Sequence, residues 1–109
     1  MRSGVEYRTT ERYLGKVVYA KVITGKALAV ADTTVSISLD VTALTNIVDY
    51  IITHQGTTDS VYTFPSHGLY SGDPLLTGYF AKSNRSFVLQ THSDLSAHTA
   101  TVFIKYTKD

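Results

Sequence analysis

Residues 34–41, Thr34-Val35-Ser36-Ile37-Ser38-Leu39-Asp40-Val41, alternate strictly between apolar and polar side chains. Val35, Ile37, Leu39 and Val41 share one side, and Ser36, Ser38 and Asp40 the other. A period of two sends successive side chains to opposite faces of an extended chain, so this segment predicts a strand with one buried face. The same period returns near the end, where Ala100, Val102, Ile104 and Tyr106 interleave with Thr101, Phe103, Lys105 and Thr107. Such a strand needs a neighbour, so residues 100–108 are expected to belong to the fold and not to a tail. Residues 16–23 are β-branched and aromatic and predict a strand ended by Thr24-Gly25. Residues 46–54 predict another, with Val48, Tyr50 and Ile52 on one face and Ile47, Asp49, Ile51 and Thr53 on the other. Both of its faces are partly apolar, as suits a central or covered strand.

The connections follow from the breakers. Residues 42–45 read as a turn or a single helical turn, and residues 55–59 as a turn. Val61-Tyr62-Thr63-Phe64 is a short strand stopped by Pro65, which lacks the N–H a ladder needs. Residues 66–74 hold three breakers and read as loop. Residues 75–81 and 86–91 predict a hairpin around Lys82-Ser83-Asn84-Arg85, and residues 93–96 the turn into the last strand. No segment carries a helical period. The expectation is an all-β domain over residues 16–109, an antiparallel, jelly-roll-like sandwich or barrel of six to eight short strands. Residues 1–15, polar and charged, are expected to form an extended arm or connector.

At 109 residues the chain is one domain, near the size where oligomerisation often supplements a modest core. It has no cysteine, which excludes disulfides, thiolate metal sites and a cysteine nucleophile. The net charge of +1 provides no general attraction to nucleic acid or acidic membranes. No apolar signal core follows Met1-Arg2-Ser3-Gly4, and the apolar runs are too short to span a bilayer. A soluble protein made in the cytoplasm, without membrane insertion, is expected. The charge is uneven: residues 1–31 carry six Lys or Arg against Glu6 and Glu11, whereas residues 32–81 carry five Asp and no Lys or Arg. That asymmetry allows complementary surfaces between copies of the chain, or only solvated charge scattered by the fold.

Catalytic signals are absent from the pattern. His54, His67, His92 and His98 lack the i, i+2 spacing that sets two ligands on one strand face, so scattered surface or turn histidines are expected, with no metal. There is no Gly-x-Ser-x-Gly. Asp59 and Asp73 flank the central loop and are candidates for a glycosidase pair, but aspartates in loops more commonly cap and turn the backbone. No catalysis and no cofactor are expected. Tyr50, Tyr62, Phe64, Tyr70 and Tyr79 lie in the acidic stretch, where phosphates are repelled, so they predict packing and not nucleic-acid binding.

Residues 55–76 are the candidate recognition element. Tyr62, Phe64, His67, Tyr70 and Asp73 stand there among Ser, Thr and Gly. Sugar rings stack their apolar faces on aromatics and hydrogen-bond through their hydroxyls, so this mixture suits a saccharide. The alternative is that Tyr62 and Phe64 pack inward and the remainder is turn chemistry. Asn84-Arg85-Ser86 fits the glycosylation pattern but reads as a hairpin tip.

The order of short motifs adds a resemblance. Glu11-Arg12-Tyr13-Leu14-Gly15-Lys16-Val17-Val18-Tyr19-Ala20-Lys21 resembles the opening "aromatic, one residue, Gly-Lys-Pro-Val/Ile-Tyr-Arg/Lys-Lys" of small domains in bacteriophage tail-fibre and baseplate proteins. An apolar strand like Val48-Asp49-Tyr50-Ile51 follows, then an aromatic-x-x-Pro segment like Tyr62-Thr63-Phe64-Pro65, and a closing Tyr106-Thr107-Lys108. The likeness spans most of residues 6–108 and rests on the order and spacing of the motifs. Val17 stands where the family has proline, and the acidic central loop is longer than the pattern. The resemblance implies a virion structural protein: a receptor-binding-type C-terminal β domain, commonly trimeric, that binds a host cell-surface saccharide or protein without catalysis. Its partners would be its own copies, the host receptor and other virion proteins. Two other readings stay open, a structural, assembly or head-decoration virion protein and a monomeric carbohydrate-binding module.

Overall fold

Ala100, Val102, Ile104 and Tyr106, the inward set of the last alternating segment, are fully buried, and their strand is the hub of the molecule. The computed structural model describes residues 2–57, 60–67 and 72–109. Among these lie nine strands and no helix: β1 (Glu6–Tyr13), β2 (Lys16–Ala27), β3 (Thr34–Ser38), β4 (Leu44–Gln55), β5 (Val61–Thr63), β6 (Ser66–His67), β7 (Pro74–Ala81), β8 (Ser86–Thr91) and β9 (Thr99–Lys108). They make two sheets, β1-β2-β9-β4-β5 and β3-β8-β7-β6. Every pairing is antiparallel. The fold is therefore all-β and sandwich-like, with nine strands against the expected six to eight.

The surplus comes from two places. Residues 6–13, within the expected arm, are extended and hydrogen-bonded to β2. Leu14 and Gly15 turn the hairpin with φ of 51° and 80°. Positive φ at both central residues matches the twist of the flanking strands, as in a type I′ turn. The other addition is β6, two residues long, inside the segment expected as loop. It pairs with β7.

The core lies between the sheets. Ile23, Ile52, Val102, Ile104 and Tyr106 face Ile37, Leu76, Phe87 and Leu89, and Leu28, Leu39, Val41 and Leu95 close it from the connections. Tyr50 of β4 reaches Phe87 of β8 with ring centroids 5.2 Å apart. On β3, Ile37 is buried while Ser36 and Ser38 are exposed, as the alternation predicts. Gly78 of β7 stands opposite Leu89. A Cβ there would lie 2.1 Å from the Val88 carbonyl oxygen, so only glycine permits this approach of β7 to β8.

β1, β2 and β9 are tied together by side chains. The Tyr106 hydroxyl and Lys108 Nζ both donate to the Glu6 carboxylate. Tyr19 stacks on Tyr106 at 6.1 Å, and the Lys108 ammonium sits 4.5 Å from the centre of the Tyr19 ring.

Candidate functional site

The expected recognition residues divide into two groups. Tyr62 on β5 is half-buried and stacks on His54 of β4 at 5.2 Å and 16°. Phe64 packs against the core, and its N–H donates to the Ile52 carbonyl. The inward alternative thus describes these two. His67 and Asp73 are exposed. Tyr70 lies outside the described residues, as does Asp59.

The sequence reading missed the partners of Tyr62. The histidines were expected at scattered surface or turn positions, but His54 is buried and His98 meets it. His54 Nδ1 is 3.0 Å from His98 Nδ1, and its Nε2 is 2.7 Å from Ser66 Oγ. The His98 ring in turn leans over Gly56, where a Cβ would come within 2.9 Å of it. The signal for His54 was present: it follows Ile52 by two residues on β4 and so shares its inward face. Nothing local marks His98 or Ser66, because one precedes β9 and the other begins β6, and only tertiary pairing joins them.

A serine bonded to a histidine that is bonded to a second acceptor has the connectivity of a hydrolytic relay. Burial argues against that use. Ser66 is 3 % exposed and His54 1 %, so no substrate carbonyl reaches the hydroxyl. Burial also holds the His54 pKa down, to about 4, and the neighbouring His98 ring acts in the same direction by charge repulsion. Neutral His54 therefore acts as a fully hydrogen-bonded pin joining β4, β6 and the turn before β9. No group of three or more metal-ligating side chains occurs among the described residues.

An exposed surface of different character covers the outer face of the four-stranded sheet. Cross-strand register sets Ser36, Val88 and Tyr79 in one row, and Thr34, Gln90 and Thr77 in the next. Thr34 Oγ1 donates to Gln90 Oε1 at 3.0 Å, and Thr77 Oγ1 pairs with His92 Nε2 at 2.8 Å. Tyr79 is 64 % exposed at the centre. His67 is exposed on the edge strand, where a shift in register separates it from buried Ser66. These two rows hold no Asp, Glu, Lys or Arg. The result is a flat aromatic face ringed by hydroxyl, amide and imidazole groups.

No protein-family model, curated protein or solved structure matches the chain.

Proposed function

We propose that this protein is a bacteriophage virion structural protein, a tail-fibre or baseplate tip domain that binds a host-surface saccharide without catalysis. The observation that carries the reading is the meeting of the two ends of the resemblance. Tyr19, from the opening Gly15-Lys16-Val17-Val18-Tyr19, stacks on Tyr106, from the closing Tyr106-Thr107-Lys108. Lys108 covers the same Tyr19 ring. Motifs far apart in sequence thus form one packed unit on β2 and β9, as residues that jointly specify a fold must.

The saccharide part rests on the Tyr79 face. An exposed phenol ring offers a stacking surface for the apolar side of a sugar, and the neighbouring Thr77, Gln90 and Ser36 offer hydroxyl and amide partners. A face without formal charge fits a neutral polyol. Presented by three copies in a trimer, weak sites of this kind would give firm attachment through avidity.

The test is Tyr79→Ala, assayed for binding to an array of bacterial surface polysaccharides and for the mass in solution. Loss of glycan binding with an unchanged melting temperature and a trimeric mass is expected. A monomer that still binds glycan would favour a carbohydrate-binding module. A trimer that binds no glycan would favour an assembly or head-decoration role.

A further inference from the structure

Beside the Thr24-Gly25 bulge of β2 the sandwich opens into a cleft of about 230 Å3, whose lining includes Ser3, Lys21, Thr24, Lys26, Ser38 and Asp40. Lys21 is its unusual member. Its side chain faces the interior and is 5 % exposed, and its Nζ donates to the carbonyls of Leu39 at 2.8 Å and Asp40 at 3.0 Å. An ammonium has three N–H donors, so one remains.

A buried cation ordinarily meets a carboxylate, because desolvating it alone is costly. Lys21 does not. The ion pairs among the described residues engage Lys16, Lys105 and Lys108. Glu6, opposite Lys21 in the β1–β2 register, has its carboxylate bound by Tyr106 and Lys108. The Glu6 carboxylate acts on Lys21 through space without contacting it, and the two backbone carbonyls satisfy hydrogen bonds without forming an ion pair. Lys26 adds a second cation to the lining, against the one carboxylate of Asp40. Ser3 Oγ accepts the Thr24 N–H at 2.9 Å, which leaves its own proton to donate.

We propose that this cleft binds a small oxyanion, a carboxylate or phosphate group borne by a saccharide, held by the Lys21 and Lys26 ammonium groups and the Ser3 hydroxyl. The sugar depends on the function proposed above; the oxyanion does not. If that function holds, the cleft selects acidic over neutral host glycans, a discrimination the uncharged Tyr79 face cannot make.

The test is titration of the whole chain, followed by amide chemical shifts, with inorganic phosphate, glucuronate and glucose as separate probes. Phosphate and glucuronate should move the amides of Ser3, Thr24 and Asp40 in a salt-sensitive, saturable way, and glucose should not. Tighter glucuronate binding would assign the site to acidic sugars, and tighter phosphate binding to phosphate-bearing glycans. Exposed Lys26→Ala should weaken both anions by about threefold without unfolding the chain. Lys21→Met should abolish binding, and if that variant fails to fold, Lys26→Ala still decides. Equal binding of glucose and glucuronate, no saturable shift with either anion, or unchanged affinity in Lys26→Ala would overturn the proposal. Free probes need no host cell, so failure of the receptor reading leaves this result standing, and the reverse holds too.

Discussion

His54 and His98 face each other Nδ1 to Nδ1 at 3.0 Å, so a single proton between the rings serves both. Either ring can donate it. If His54 donates, its Nε2 accepts from the Ser66 hydroxyl; if His98 donates, His54 Nε2–H gives to Ser66 Oγ. A further proton on His54 places a positive charge on a buried ring beside His98, which is what disfavours it.

That sets a pH dependence. Burial, with His98 nearby, lowers the His54 pKa from 6.5 to about 4. Between those values the unfolded chain binds the proton and the folded one does not, so stability is full above about pH 6.5 and declines as pH falls toward 4. The loss should be on the order of 2–3 kcal/mol. Urea unfolding across that window checks it, and His54→Gln should flatten the slope.

Glu6 should couple to Tyr106. Burial alone would raise the Glu6 pKa, but hydrogen bonds from Lys108 and Tyr106, with the Lys108 and Lys21 charges, leave it below the usual value. Tyr106→Phe removes one of these donors. It should destabilise the fold by about 1–2 kcal/mol and raise the Glu6 pKa in an NMR titration. A double-mutant cycle with Glu6→Gln should return a coupling of about 1 kcal/mol.

Thr107 is a site for improvement. Its side chain is fully buried, and among the described residues its Oγ1 finds no hydrogen-bond partner. Thr107→Val keeps the shape and removes the desolvated hydroxyl, so it should stabilise by about 1 kcal/mol. Calorimetry should show the melting temperature rising by roughly 4–8 °C.

The two hairpin glycines should respond differently to alanine. At Gly78 the new Cβ would sit 2.1 Å from a backbone oxygen, so β7 and β8 must part. A loss of about 3 kcal/mol is expected. Gly15 has open space around it but a φ of 80°. Gly15→Ala should cost only about 1 kcal/mol. Denaturation midpoints of the two variants give the comparison.

Strands were legible wherever one face was uniformly apolar. Residues 34–38, 86–91 and 99–108 are strands, and within each the inward residues recur at a spacing of two: Val35 and Ile37, Phe87 and Leu89, Val102 and Ile104. β1 escaped because its side chains are mostly exposed, so it has no apolar period. What identifies it is pairing with β2, a relation between segments. β6 escaped for a similar reason: two residues cannot display alternation. The candidate site was legible only in part. Tyr62 and Phe64 stood out by composition, but their inward setting depends on His54 and Ile52 of β4. Tyr79 was grouped with the packing aromatics because outward and inward positions on β7 cannot be ranked until β8 fixes which face is covered.

β9 lies between β2 and β4, yet it follows both in the chain. A ribosome delivers β1 to β8 before the strand that joins the two halves of the five-stranded sheet. Until Thr99–Lys108 is made, β2 and β4 each present an open edge, and the long-range pairs that hold the sheet do not exist. The domain is therefore built to close late and all at once, and nascent chains ending before β9 should be prime clients for chaperones.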